Sequence, residues 1–316
     1  MRILITGAAG MLGRKLTARL LADGTLAGRP IRQLILHDIV PPEAAPPHLA
    51  LTGDLGSSAA MLVAHRPDMI FHLAGVVSGE AEANFDLGYA VNLDGTRALF
   101  DAIRLAGSAP RVVYASTTAV FGGPFPDEIP DDFVPTPQSS YGTQKLIGEA
   151  LLSDYTRRGF LDGIGLRLPT ICVRPGKANR AASSFFSGII REPLNGLLAS
   201  LPVARDWVHT MASPRAAVGF FLHAATLDSA PIGPRRNLTL PGVAVTVAEQ
   251  IEALSRVAGA DVVALIRDEP DPAVWAIVQT WPRRFAASRA KALGFQAETS
   301  FDQIVQTYIE DDLRGV

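Results

Sequence analysis

The sequence predicts an α/β fold, a doubly wound parallel sheet with a smaller C-terminal region. Short apolar runs at 2–6, 32–37, 69–73, 110–116 and 163–168 alternate with helical stretches, the clearest at 84–106 and 141–158. The runs are continuously apolar, as strands covered on both faces of a parallel sheet are. After about residue 170 the alternation stops, and 174–212 mixes Arg, Pro, Ser and Gly with short apolar pieces. A helix near 213–227 and a strand near 236–240 read as a return to the sheet. The expected division is therefore 1–170 with 213–240, against 171–212 and 241–316. A sheet of this kind holds its ligand at the carboxyl ends of the strands.

The first strand, Arg2-Ile-Leu-Ile-Thr6, runs into Gly7-Ala-Ala-Gly10-Met11-Leu12-Gly13 and then into a helical pattern through Leu16 and Leu20. Glycines at a strand-to-helix turn let backbone approach a pyrophosphate, and the helix N-terminus offers it unpaired N–H groups. The spacing Gly-x-x-Gly-x-x-Gly lacks the Gly-Lys-Ser/Thr ending of an ATP-hydrolysing loop. The next strand ends at Asp38. A carboxylate there accepts hydrogen bonds from ribose hydroxyls and repels a 2′-phosphate, which selects NAD over NADP. Alternatively it begins the turn into the proline cluster at 41–47. Asp54, followed by Leu55, either meets the adenine or caps the helix that follows.

Tyr141 and Lys145 stand four residues apart in Ser140-Tyr-Gly-Thr-Gln-Lys. On a helix that spacing puts both on one face. A free phenol has a pKa of about 10, too high for a base at neutral pH, and a neighbouring ammonium lowers it. The pair is thus a proton acceptor for an alcohol about to lose a hydride. The chain holds five tyrosines and four lysines, so chance gives this spacing about 0.06 times. The bland alternative is a surface aromatic beside a helix-stabilising lysine.

Composition narrows the class. A formal charge of −2 and a pI of about 6.3 give no basic patch for nucleic acid or an anionic membrane. A single cysteine, Cys172, excludes an internal disulfide and fits a reducing compartment. The opening strand leaves no room for a signal peptide, and no apolar run approaches the roughly 20 residues that span a bilayer, so a cytoplasmic protein is expected. Six histidines without metal-ligand spacing and one cysteine build no metal site. His72 reads as structural, and Trp207, Trp275 and Trp281 as core residues.

Taken in order, Gly7-x-x-Gly10-x-x-Gly13, Asp38, His72-Leu73-Ala74-Gly75, Asn92-Leu-Asp-Gly-Thr96, Ser116-Thr-Thr-Ala-Val-Phe-Gly122 and Tyr141-x-x-x-Lys145 resemble the extended short-chain dehydrogenase/reductases, which have a Rossmann fold. Val76-Val-Ser-Gly-Glu-Ala-Glu82, Tyr155-Thr-Arg-Arg-Gly-Phe-Leu-Asp162, Leu166-Arg-Leu-Pro-Thr170 and Arg191-Glu-Pro-Leu-Asn-Gly196 are similar, more narrowly, to the D-erythronate dehydrogenases. That family oxidises a four-carbon sugar acid at C2 with NAD. The resemblance implies Tyr141 as base, Lys145 as its electrostatic partner and ribose ligand, and Asn92 as a helix-bending, water-holding residue. It places the catalytic hydroxyl on Thr117, four residues before the aromatic of Phe121-Gly122, with Ser116 as the alternative on the opposite strand face. It also implies cofactor contacts from Gly7, Gly10, Met11, Leu12, Gly13, Asp38, Asp54, Leu55, Leu73, Ala74 and Gly75, and a homodimer through 84–106 and 141–158.

A sugar acid needs a cation for its carboxylate. Arg174 is the first candidate, because guanidinium pairs bidentately with carboxylate, and Lys177 and Arg180 are its rivals. Ser78, Asn179 and Ser183, with Ser116 and Thr117, are candidates for the hydroxyl groups. A nucleotide-sugar epimerase or dehydratase, or a uronate dehydrogenase, on the same scaffold is the alternative reading. The diphosphate of a nucleotide sugar could draw on Arg174, Arg180, Arg191 and Arg205. A dinucleotide-sensing protein without activity is the alternative from a different class.

Overall fold

In the computed structural model, residues 1–176 and 183–313 are described. Seven strands form one parallel sheet: β1 (Arg2–Thr6), β2 (Gln33–Asp38), β3 (Leu49–Thr52), β4 (Met69–His72), β5 (Arg111–Thr117), β6 (Asp162–Leu168) and β7 (Asn237–Thr239). Their order across the sheet is β3-β2-β1-β4-β5-β6-β7. This is the doubly wound sheet that the sequence predicts. Its strand order reverses between β1 and β4, where such sheets open a crevice at the strand ends.

Four helices matter for the site: α1 (Met11–Asp23), α2 (Leu55–Ala64), α3 (Gly95–Ala106) and α4 (Ser140–Arg157). Leu4, Ile35, Ile70, Val112 and Tyr114 of the sheet pack with Leu99, Phe100 and Ile103 of α3 into one core. Apolar side chains at three- and four-residue intervals give α3 the buried stripe that holds it there. The run 84–106, expected as one helix, is a helical turn at Phe85–Gly88, a π-helical segment at Tyr89–Asp94 and then α3. The edge strand β3 was not expected; it is four residues long, half-exposed, and follows the prolines at 41–47. The interval between α1 and β2 holds a small hairpin, Thr25–Leu26 with Arg29–Pro30.

The chain divides into two compact units. One comprises 1–120, 137–168 and 218–239, and contains the whole parallel sheet. The other comprises 121–136, 169–217 and 240–316. It is built on two small sheets, Ala199–Leu201 with Ile266–Asp268, and Val208–Ala212 between Thr170–Ile171 and Val243–Thr246. Its core gathers Phe186, Ile190, Trp207, Met211, Leu254 and Ile304, with Trp275 and Trp281 packed against it. Phe121 belongs to this second unit, buried among the rings of Phe133 and Phe285. The apolar setting accounts for a phenylalanine there: a hydroxyl would be buried away from water.

Candidate active site

The site is assembled on the parallel-sheet unit from the ends of β1, β2, β4 and β5 and from α4. After β1, Gly7 adopts a positive φ of 74°, and a Cβ there would lie 2.7 Å from Ala74 N, on the loop after β4. The two loops therefore meet, at the reversal of strand order, only because residue 7 is glycine. A Cβ on Gly13 would strike Gly7 O and come within 2.7 Å of Ala8 Cα, so glycine also lets α1 begin tight against the turn. Gly10 caps α1 with no side-chain hydrogen bond, and no acidic residue occupies the first turn. The amide donors of this 13-residue helix thus face the turn without a side-chain acceptor. Met11 and Leu12 begin the helix, half-buried.

Asp38, at the end of β2, accepts from Ala9 N at 2.9 Å and from Val40 N at 3.3 Å. Its carboxylate braces the glycine turn and also starts the turn that follows β2, as the second sequence alternative expects. Asp54 caps α2, with Oδ1 accepting from Ser57 N at 2.9 Å, and the Leu55 side chain is buried in the core. At the end of β4, His72 lies between Thr6 Oγ1 (2.7 Å) and Thr96 Oγ1 (2.9 Å). Burial, with a smaller push from Lys145, holds its pKa down to about 3, which suits a neutral structural imidazole.

Ser139 caps α4 by accepting from Gly142 N, and the missing Cβ of Gly142 lets the first turn close on Ala119 O. That contact seats Tyr141, half-buried, beside the end of β5. One turn on, Lys145 is 4% exposed and donates from Nζ to Ala115 O at 2.9 Å. Its Nζ stands 5.9 Å from the centre of the Tyr141 ring and 4.9 Å from that of Tyr114. Desolvation pushes the Lys145 pKa down to about 8, with Glu149 acting in the opposite direction. The spacing of Tyr141 and Lys145 in sequence is therefore a spatial pairing.

Asn92 sits inside the π-helical segment, a distortion common at functional sites. Its Oδ1 accepts from Val76 N, and its Nδ2 donates to Gln144 Oε1 at 2.8 Å and to Val76 O. A Cβ on Gly75 would lie 2.8 Å from Asn92 Oδ1 and 3.3 Å from Lys145 Nζ. Gly75 thus keeps open the space where amide and ammonium face each other. Ser78 begins a short helix, Ser78–Ala83, half-buried.

Adjacent hydroxyls on β5 have different surroundings. Thr117 is half-buried, with Oγ1 accepting from Ala119 N at 3.1 Å. Ser116 is 3% exposed and donates to Glu149 Oε1 at 2.6 Å. Glu149 is itself held by Arg167 at the end of β6, through Nε and Nη2. Gln144, Glu149 and Arg167 escaped the sequence reading. The available signal was periodicity, since Tyr141, Lys145 and Glu149 recur every four residues along α4.

In the second unit, Arg174 donates from Nε to Ile171 O, its N–H donates to Ser187 Oγ, and its carbonyl accepts from Arg191 Nη1. Ser183 precedes the helix Ser184–Leu194 without capping it. Lys177, Asn179 and Arg180 lie outside the described residues. Arg191 is buried and pairs with Glu192, and Arg205 is paired through two donors with Asp268. Among the described residues no group of acidic, histidine or cysteine side chains could hold a metal ion, and no helix is long and apolar enough to cross a membrane.

Residues 3–223 match the NAD dependent epimerase/dehydratase family. The chain belongs to that family. Membership implies binding of NAD(P), and the glycine turn, the side-chain-free N-terminus of α1 and the braced Asp38 fit such a group. Across 98% of both chains it is 51% identical to the D-erythronate dehydrogenase of Cupriavidus necator. It is 41% identical to the D-erythronate dehydrogenase of Haemophilus influenzae, over 99% of this chain and all of that one. Among solved structures, the nucleoside-diphosphate-sugar epimerase from Agrobacterium tumefaciens superposes with a TM-score of 0.97 at 57% identity, over 100% of this chain and 95% of that one.

Proposed function

We propose that the chain oxidises D-erythronate at C2 to 2-oxo-tetronate. The buried Lys145 ammonium beside the Tyr141 ring carries the chemistry in this reading, and two full-length relatives supply the substrate. Bound NAD would supply the hydride acceptor. Gly7, Gly10, Gly13 and the first turn of α1 would hold its pyrophosphate. Asp38, Leu73, Ala74 and Gly75 line the same strand ends, and the Asp38 carboxylate favours NAD over NADP by repelling a 2′-phosphate.

Tyr141 takes the proton of the C2 hydroxyl, its phenolate favoured by Lys145. Thr117 provides the hydroxyl that orients the C2 oxygen. Ser116 is left out of this set, because its proton is committed to Glu149. Asn92 holds the Gly75–Val76 backbone beside Lys145 through its paired amide bonds. Arg174 is proposed as the cation for the carboxylate, which Arg174→Ala tests through the KM for the acid.

A nucleotide-sugar epimerase is the second reading, favoured by the description of the Agrobacterium tumefaciens structure. Two of the four arginines it would use, Arg191 and Arg205, are already committed to Glu192 and Asp268. NADH formation with D-erythronate, set beside L-threonate, D-glucuronate, UDP-glucose and NADP, separates the readings. We also propose a cytoplasmic homodimer through 84–106 and α4. Phe85 supports it: the ring is 57% exposed and packs on Tyr89 at 4.5 Å. A monomer mass in solution would refute the dimer.

A further inference from the structure

Glu149 is 1% exposed, one helical turn beyond Lys145 and two beyond Tyr141. A carboxylate is costly to bury, and this one is retained with a full set of partners: Ser116 on β5 and the Arg167 guanidinium on β6. Among the described residues, the groups near Lys145 come from four elements. They are Tyr141 and Glu149 on α4, Tyr114 and Ala115 O on β5, His72 on β4, and Asn92 in the π-helical segment. His72 is neutral and Tyr114 is held protonated by its burial. Glu149 is therefore the anion of this cluster.

We propose that Glu149 is a positioning residue of the proton-accepting pair, acting through Lys145: its carboxylate keeps the buried ammonium charged, and the ammonium favours the Tyr141 phenolate. The inference rests on the assignment of Tyr141 and Lys145 above and extends it by one residue. Burial alone drives Lys145 toward its neutral form, and neutral Lys145 does nothing for a phenolate. The charge of Glu149 opposes that drift at one turn's distance, in a setting shielded from solvent. Losing Glu149 therefore favours neutral Lys145, and a neutral Lys145 no longer supports the Tyr141 phenolate.

The test reads the Tyr141 phenol without substrate. For each background, the tyrosinate absorbance is compared with that of the same protein carrying Tyr141→Phe. Glu149→Gln keeps the acceptor for Ser116 and removes the charge. Its Tyr141 midpoint should rise by about one unit, and turnover of D-erythronate near neutral pH should fall by about tenfold. Arg167→Gln leaves Glu149 uncompensated, and the Tyr141 midpoint should then stay or fall. A scaffold role would disturb both variants in the same direction, whereas a charge effect separates them. An unmoved midpoint in folded Glu149→Gln, or a raised one in Arg167→Gln, overturns the proposal. The second variant decides alone if the first does not fold. Undiminished turnover in Tyr141→Phe would remove the base assignment while leaving these midpoints readable.

Discussion

Each of the two units buries an arginine against a carboxylate, and the two pairs are built differently. In the parallel-sheet unit, Arg167 grips Glu149, which also takes the Ser116 proton, and a second buried cation, Lys145, lies one turn away. In the other unit, Arg191 grips Glu192 and spends another donor on the Arg174 carbonyl. At Arg191 one guanidinium meets one carboxylate, and a further donor closes on backbone. Around Lys145 the charges do not balance: two cations share one anion, and the second cation faces a phenol. A balanced buried pair specifies a fold. A buried charge left over beside a titratable group is what a proton-transfer site needs.

The largest effect expected from this contrast is at the unbalanced site. Tyr141→Phe should lower turnover of D-erythronate by about 10²-fold or more while NAD affinity holds, read by steady-state kinetics and a binding titration. Gly75→Ala should come next. Its methyl would press on Asn92 Oδ1, which is pinned to Val76 N, and on Lys145 Nζ, so kcat should drop by about tenfold without loss of the fold. Unchanged kcat there would mean that the facing of Asn92 and Lys145 is dispensable.

The balanced pair should behave in the opposite way. Arg191→Met strands Glu192, which is partly exposed, and should cost about 2 kcal/mol of stability. The kcat per folded molecule should change little, with any effect through the Arg174 carbonyl confined to KM, and a fall in kcat would contradict the contrast. The last effect concerns two of the buried histidines, His72 in the parallel-sheet unit and His209 in the other. Burial lowers the pKa of His72 to about 3 and of His209 to about 4. Both unfold to an ordinary histidine of about 6.5. Their neutral forms therefore lend stability that is complete above that value and is lost as pH falls through 4 and 3. His209→Gln should flatten the acid side of a melting-temperature profile, and an unaltered slope would contradict the shift.

What was legible in the sequence follows the same line between the units. The strands β1, β2, β4, β5 and β6 carry apolar runs through their centres, as parallel strands covered on both faces do. The edge strand Leu49–Thr52 has one open side and no such signature. In the second unit, strands of two to five residues in separate small sheets leave too short a pattern to read. Within the site, Tyr141 and Lys145 were legible because one helix turn brings them together. Their brace was not, since Glu149 meets Ser116 and Arg167 across 33 and 18 residues of chain. Asn92 could be located by its motif, but its partners Val76 and Gln144 depend on the π-helical segment that turns it inward.

The most direct test of the central claim is the rate of NADH formation from D-erythronate by the purified protein, compared with that by Tyr141→Phe. The account predicts rapid NADH release with D-erythronate and NAD, little with NADP or UDP-glucose, and a collapse of the rate in the variant. No NADH from D-erythronate, or an equal rate without the phenol, would contradict it.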